Sequence, residues 1–192
     1  RRAVHTWRLG TRANAAFRAT IFPQPEIGLM DEALGPGTPT GVGEDTYLFY
    51  KVLKAGYRIV YDPHAYVWHM HRREMQALRR RLYNYGKGHA AYHLTTLLRD
   101  GDRRALTRLL VELPLTHLRN VLTRARGRSD YPLSLVFVEA MGHLAGPLAL
   151  WRARRRVDRL GKSEPYIPVC QRICRAETSH PPAEFSKHAG GV

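Results

Sequence analysis

The stretch Gly41-Val42-Gly43-Glu44-Asp45-Thr46 sets two adjacent carboxylates behind two glycines and ahead of the apolar run Tyr47 to Leu53. Glycine tolerates backbone angles and close approaches closed to other residues, so a bulky ligand has room beside this loop. A carboxylate held there is a candidate general base, able to take the proton of an attacking hydroxyl. Asp45 is the candidate, with Glu44 beside it. The same pair also suits the first turn of a helix, where carboxylates complement the positive end of the macrodipole, and taken alone the tetrad favours that use.

The elements that must position the pair follow from pattern. Gly35 to Gly41 is too rich in Gly and Pro for helix or strand to persist. From Glu44 to about Ala55 the apolar spacing predicts a helix of three turns, stopped by Gly56. Tyr57–Tyr61 and Ala65–Trp68 read as short strands on either side of a turn at Asp62-Pro63. A helical pattern from about Arg73 to Leu98 offers Met75, Leu78, Leu82, Tyr85, Leu94, Leu97 and Leu98 for burial. Gly86 and Gly88 inside it signal a break, a kink or a close backbone approach, because each costs about 1 kcal/mol against Ala in a helix interior. Residues 103–125 carry another helix disturbed at Pro114. Tyr131–Trp151 is the most apolar segment, yet it holds Glu139, His143, Gly146 and Pro147 and is flanked by Arg124, Arg126 and Arg128 before it and by Arg152, Arg154, Arg155 and Arg156 after it. A helix or broken helix pair lying in a membrane interface is expected, ahead of a soluble helix or a spanning one. From Ser163 onward the prolines and closing glycines predict a poorly ordered tail.

The 192 residues are enough for one domain with an appendage, and 44% of them are hydrophobic. With 31 Lys and Arg against 16 Asp and Glu, the chain carries +15, a surface that attracts polyanions: nucleic acid, anionic lipid or a phosphorylated substrate. No nucleic-acid recognition motif accompanies the charge, and an acidic loop is out of place in a phosphate track, so nucleic acid is not an expected partner. Cys170 and Cys174 do not have the spacing of a zinc site and read as free thiols. No signal peptide is apparent, and the start at Arg1 suggests a fragment.

Taken in order, Gly10-Thr11-Arg12-Ala13-Asn14-Ala15-Ala16-Phe17-Arg18, Ile27 to Gly35, Gly43-Glu44-Asp45, Ala55 to Ala65 and His69-Met70-His71-Arg72 resemble the C-terminal half of the catalytic domain of family 2 glycosyltransferases, over roughly residues 8–90. The resemblance implies an α/β architecture: a partial GT-A, Rossmann-like fold over residues 1–71, then a basic helical region, 72–162, at a membrane interface, and the tail, 163–192. It implies inverting transfer of a sugar from a nucleotide-diphosphate donor to a hydroxyl of a glycan or lipid-linked acceptor, in glycolipid, cell-wall or exopolysaccharide synthesis, at the cytoplasmic face of the cell membrane and its anionic surface. Asp45 matches the family's base and Glu44 its neighbour; Gly41 and Gly43 fall in the glycine loop beside the acceptor. His69 matches a histidine used near the metal, Mn2+ or Mg2+, although oxygen ligands suit those ions better; the bland alternative is a strand-end histidine in solvent. Gln76, Arg79 and Arg80 resemble the Gln-x-x-Arg-Trp motif of processive members, with Arg80 where Trp is expected. These arginines suit bidentate contacts to a diphosphate or a solvated basic helix face. The family's Asp-x-Asp metal motif has no counterpart upstream of Asp45, so the expectation is an acceptor-side half lacking the donor-binding front and inactive by itself. The alternative expectation is a non-catalytic membrane-binding module.

Overall fold

In the structure, a computed structural model, residues 6–9, 14–68 and 74–160 are described. The described elements are helical: α1 Glu44–Lys54, α2 Met75–Asp100, α3 Arg104–Thr107, a π turn Arg108–Glu112, α4 Leu113–Ala125 and α5 Leu133–Leu160, preceded by 3-10 turns at Thr6–Arg8 and Ala19–Ile21.

No strand occurs among the described residues, which overturns the α/β, GT-A expectation. Tyr57–Trp68 carries strand-forming residues, yet it runs without a ladder partner and leaves Val60 84%, Tyr61 85% and Trp68 95% exposed. Strand propensity expresses a fit to a half-buried pleated surface. With no second strand and no covering layer, the same residues stay extended and solvated.

α1 forms where its caps dictate. Glu44 and Asp45 occupy the first turn and Lys51 and Lys54 the last, each matching the dipole. At the far end Gly56, at φ 89°, lets its own N–H reach the Leu53 carbonyl and the Tyr57 N–H reach that of Val52, closing the helix. Leu48 and Val52 pack with Ile21 and Ile27, while Tyr47 joins Ala33, Leu34, Ala91, Tyr92, Leu150 and Ala153 in a second cluster.

The scaffold is the pair α2 and α5, running parallel: Gly142 lies against Tyr83, Gly146 against Ala90, and Arg154 reaches Thr95. Its seam is built of small residues. α2 continues unbroken through Gly86 and Gly88, and the close approach is realised instead, with Gly86 against the Glu139 backbone and Gly88 against Val42. The residues expected to be buried are so only in part: Leu94 packs against the core, but Met75 is 53% and Leu98 72% exposed, and the fully buried side is Ala90, Ala91, Tyr92, His93, Thr95 and Thr96. Pro114 sits in the first turn of α4, where a missing N–H costs little, directly after the π turn. α5 is one helix through Pro147, longer at its C-terminal end than the apolar segment.

Candidate functional site

The loop before α1 is wound by glycines at left-handed angles, Gly35 (φ 109°), Gly37 (φ 78°), Gly41 (φ 80°) and Gly43 (φ 119°), the last being the N-cap residue of α1. Threonines close it internally. Thr38 Oγ1 donates to the Gly35 carbonyl at 2.7 Å, Thr40 Oγ1 donates to the Ala33 carbonyl at 3.0 Å, and the two hydroxyls lie 2.8 Å apart. The buried Glu44 folds back over Gly35, where a Cβ would stand 3.0 Å from its carboxyl. Asp45 is half-buried, and its Oδ1 accepts the Thr46 N–H at 2.8 Å.

The loop lies along α2. A Cβ at Gly41 would touch Asn84, and one at Gly43 would stand 3.1 Å from the Gly88 carbonyl. Gln76 and Arg80 are two turns and one turn before Asn84 on the same helix face, so this line of exposed side chains leads to the glycine turn. Arg79 lies beside them, also exposed. His69 lies outside the described residues, as do His71, Arg72, Arg73, Cys170, Cys174 and the segment 163–192.

α5 contributes a feature that sequence reasoning treated only as a flank. Arg156 donates to the Gly37 carbonyl at 2.6 Å, pinning the loop. Arg152, Arg155, Arg156 and Arg159, with Trp151 and Leu160, line a groove of about 500 Å³. Between them in the sequence, Arg154 turns inward. The carboxylate of Asp31, buried beside the loop, accepts from Arg99 at 2.8 Å and from Arg154 at 3.2 Å. On the far side of α1, a cleft of about 590 Å³ is lined by Tyr47, Lys51, Lys54, Arg99 and Asp100 among others. Lys51 there donates to the carbonyls of Ile27 and Leu29, and burial holds its ammonium below the ordinary lysine range. Burial, then the hydrogen bond to Asp100, pushes the Tyr47 hydroxyl up.

Four histidines form a chain through the bundle. His93 Nε2 and His89 Nε2 are 3.1 Å apart, His89 Nδ1 and His143 Nε2 3.2 Å, and His143 Nδ1 and His117 Nε2 3.1 Å. Each neutral ring offers one donor and one acceptor, so neutral rings satisfy every link. Burial, with His117 nearby, pushes His143 down to about 4, and burial raises Glu139 one turn before it. The rings meet end to end and share no focal point. Among the described residues no group of three or more His, Cys, Asp or Glu is placed to hold a metal. Mg2+ takes oxygen ligands, commonly one or two carboxylates with water and substrate phosphates, and the histidine matched to the metal by the resemblance, His69, lies outside the described residues.

Compared with known proteins, the chain matches no family model, no curated sequence and no solved structure.

Proposed function

We propose that this chain is the acceptor-side part of an inverting glycosyltransferase, which moves a sugar from a nucleotide-diphosphate donor to an acceptor hydroxyl at the cytoplasmic face of a membrane. One observation carries the reading: a left-handed glycine turn sets Asp45 at the N-terminus of α1 on a loop bordered by arginines, with Arg156 bonded to Gly37 and Arg80 one turn from Asn84. A base that removes a proton from a hydroxyl and cations that meet a departing diphosphate are the two components this transfer needs.

In the reaction the acceptor oxygen attacks the anomeric carbon from the face opposite the diphosphate. Asp45 takes the hydroxyl proton as the new C–O bond forms, and the old bond breaks with its electrons passing to the diphosphate. Glu44, folded over Gly35, holds the turn that aims Asp45. Arginine forks suit the phosphate oxygens.

The test is release of nucleoside diphosphate from a panel of nucleotide sugars by the full-length protein, wild type against Asp45→Asn. The expected outcome is a loss of about 10²- to 10⁴-fold, with the far-ultraviolet circular dichroism unchanged. Wild-type turnover by the variant would refute the assignment.

A second reading, a membrane-binding module without chemistry, is favoured by the exposed apolar residues of α4 and α5, among them Leu115 at 57%, Leu118 at 53% and Leu144 at 76%. The 18-residue apolar window of α5 has a mean hydropathy of 1.5 and is only 33% buried. Vesicle flotation with no donor turnover by a folded full-length protein would favour this reading over the first.

A further inference from the structure

Along α5, Phe137, Met141, Leu144, Leu148 and Trp151 are exposed by 60, 59, 76, 50 and 49%. Their spacing of four, three, four and three residues makes one stripe, about 21 Å long at 1.5 Å per residue. The stripe does not end at Trp151. Arg155 and Arg159 follow Trp151 at four-residue steps, and Arg152 stands beside them. Trp151 therefore belongs both to the apolar stripe and to the groove of about 500 Å³ lined by Arg152, Arg155, Arg156 and Arg159. The Arg155 guanidinium lies 4.1 Å from the Trp151 ring centroid, a stacking contact that orients its donors. Among the described residues no acidic side chain lines the groove. A surface with a cationic pocket at one end and an apolar track leading from it is complementary to an amphipathic anion.

We propose that this groove binds the phosphate or diphosphate headgroup of a lipid, with the hydrocarbon chain lying along the stripe from Trp151 toward Phe137. Four guanidinium groups on one helix face supply paired donors to phosphate oxygens. The Arg156 bond to Gly37 places the headgroup pocket against the loop that leads into Glu44 and Asp45. The inference that such a lipid phosphate is the sugar acceptor rests on the transferase reading above; binding of the lipid does not.

The experiment uses the full-length protein with three probes, phosphatidylcholine vesicles, the same vesicles with one-fifth phosphatidic acid, and inorganic pyrophosphate, and with duplex RNA as a competitor. The variants are the triple change Arg152→Gln, Arg155→Gln, Arg159→Gln, which spares the Arg156 contact with the loop, and Leu144→Glu. Circular dichroism checks that each is folded. At about fivefold per arginine, the triple variant is expected to lose roughly a hundredfold in affinity for phosphatidic acid vesicles and for pyrophosphate. Leu144→Glu should lose the vesicles and keep pyrophosphate. Wild-type binding of phosphatidic acid vesicles by the folded triple variant would overturn the proposal. Pyrophosphate bound without any preference for phosphatidic acid vesicles would overturn its lipid part in favour of a soluble phosphate, and tighter competition by duplex RNA would overturn it in favour of nucleic acid. Asp45→Asn should bind all probes as wild type, so loss of transfer there counts against neither the groove nor its ligand, and loss of binding in the triple variant leaves the assignment of Asp45 as base untouched.

Discussion

Gly142→Ala is the sharpest test of the scaffold. Gly142 lies in the middle of α5, and a methyl group built there runs into the Tyr83 carbonyl oxygen of α2 and stands 3.1 Å from the Lys87 nitrogen. Two effects oppose each other. Alanine restores about 1 kcal/mol of helix propensity relative to glycine. Overpacking costs about 1 to 3 kcal/mol or more, and the upper end applies because the obstacle is backbone on a rigid helix rather than the tip of a flexible side chain. Relief requires α5 to move away from α2, which would also loosen Gly146 against Ala90 and stretch the link from His89 to His143. The net expectation is a loss of about 2 kcal/mol, roughly a thirtyfold rise in the unfolded fraction. Urea unfolding followed by the helical circular dichroism signal near neutral pH measures it directly. A variant as stable as wild type, or more so, would show that propensity outweighs packing, and the backbone contact between α2 and α5 would have to be abandoned.

Three further outcomes follow from named groups. Because burial holds His143 near 4 against an ordinary 6.5, the unfolded chain binds the proton first as pH falls; stability is intact above about 6.5 and declines until about 4, by about 3 kcal/mol in all. Glu139, raised by burial, takes up a proton on acidification and offsets part of this loss, so urea midpoints near neutral pH and at pH 4.5 should separate by a smaller margin in His143→Gln than in wild type; equal margins would refute the assignment to His143. Asp31→Asn removes the charge that Arg99 and Arg154 share and should cost about 2 kcal/mol, given the worth of hydrogen bonds to charged groups, with no cost in the same unfolding assay counting against the pairing. The Asp45→Asn and triple arginine measurements complete the set and read chemistry and binding separately.

How much of this was legible depends on the kind of signal. α1 could be read because its ends are marked by local chemistry: carboxylates at the start, lysines and Gly56 at the close. Gly86 and Gly88 signalled a break, a kink or a close approach, without deciding among them or naming a partner. Gly86 meets the Glu139 backbone and Gly88 meets Val42, both far off in the sequence, and small residues carry no apolar period from which to find such partners. The leucines of α2 pointed only in part to the buried face: Leu94 packs against the core, whereas Leu78 and Leu98 are exposed. Tyr57–Trp68 misled because strand composition says what a segment would do with a partner, and no partner strand is present among the described residues. The histidine chain was out of reach of spacing arguments: apart from His89 and His93, its members come from separate helices, and only the fold brings His117, His143 and His89 into line.

The excess of positive charge resolves into two roles separated by a small rotation about one helix. Arg154 is 28% exposed at its side chain and turns inward to Asp31 and the Thr95 hydroxyl, whereas Arg155, one residue on and about 100° around the helix, lies outward over Trp151. The first kind of arginine neutralises a buried carboxylate and so secures the segment that leads into the glycine loop. The second kind has no acidic partner lining its groove among the described residues, and like charges at three- and four-residue spacing destabilise an isolated helix. α5 bears that cost over its last two turns, where Ala153 and Val157 are its apolar contacts with the rest of the bundle. An anion in the groove would remove the repulsion. The charge pattern therefore favours a bound phosphate on energetic grounds, independently of the shape of the groove.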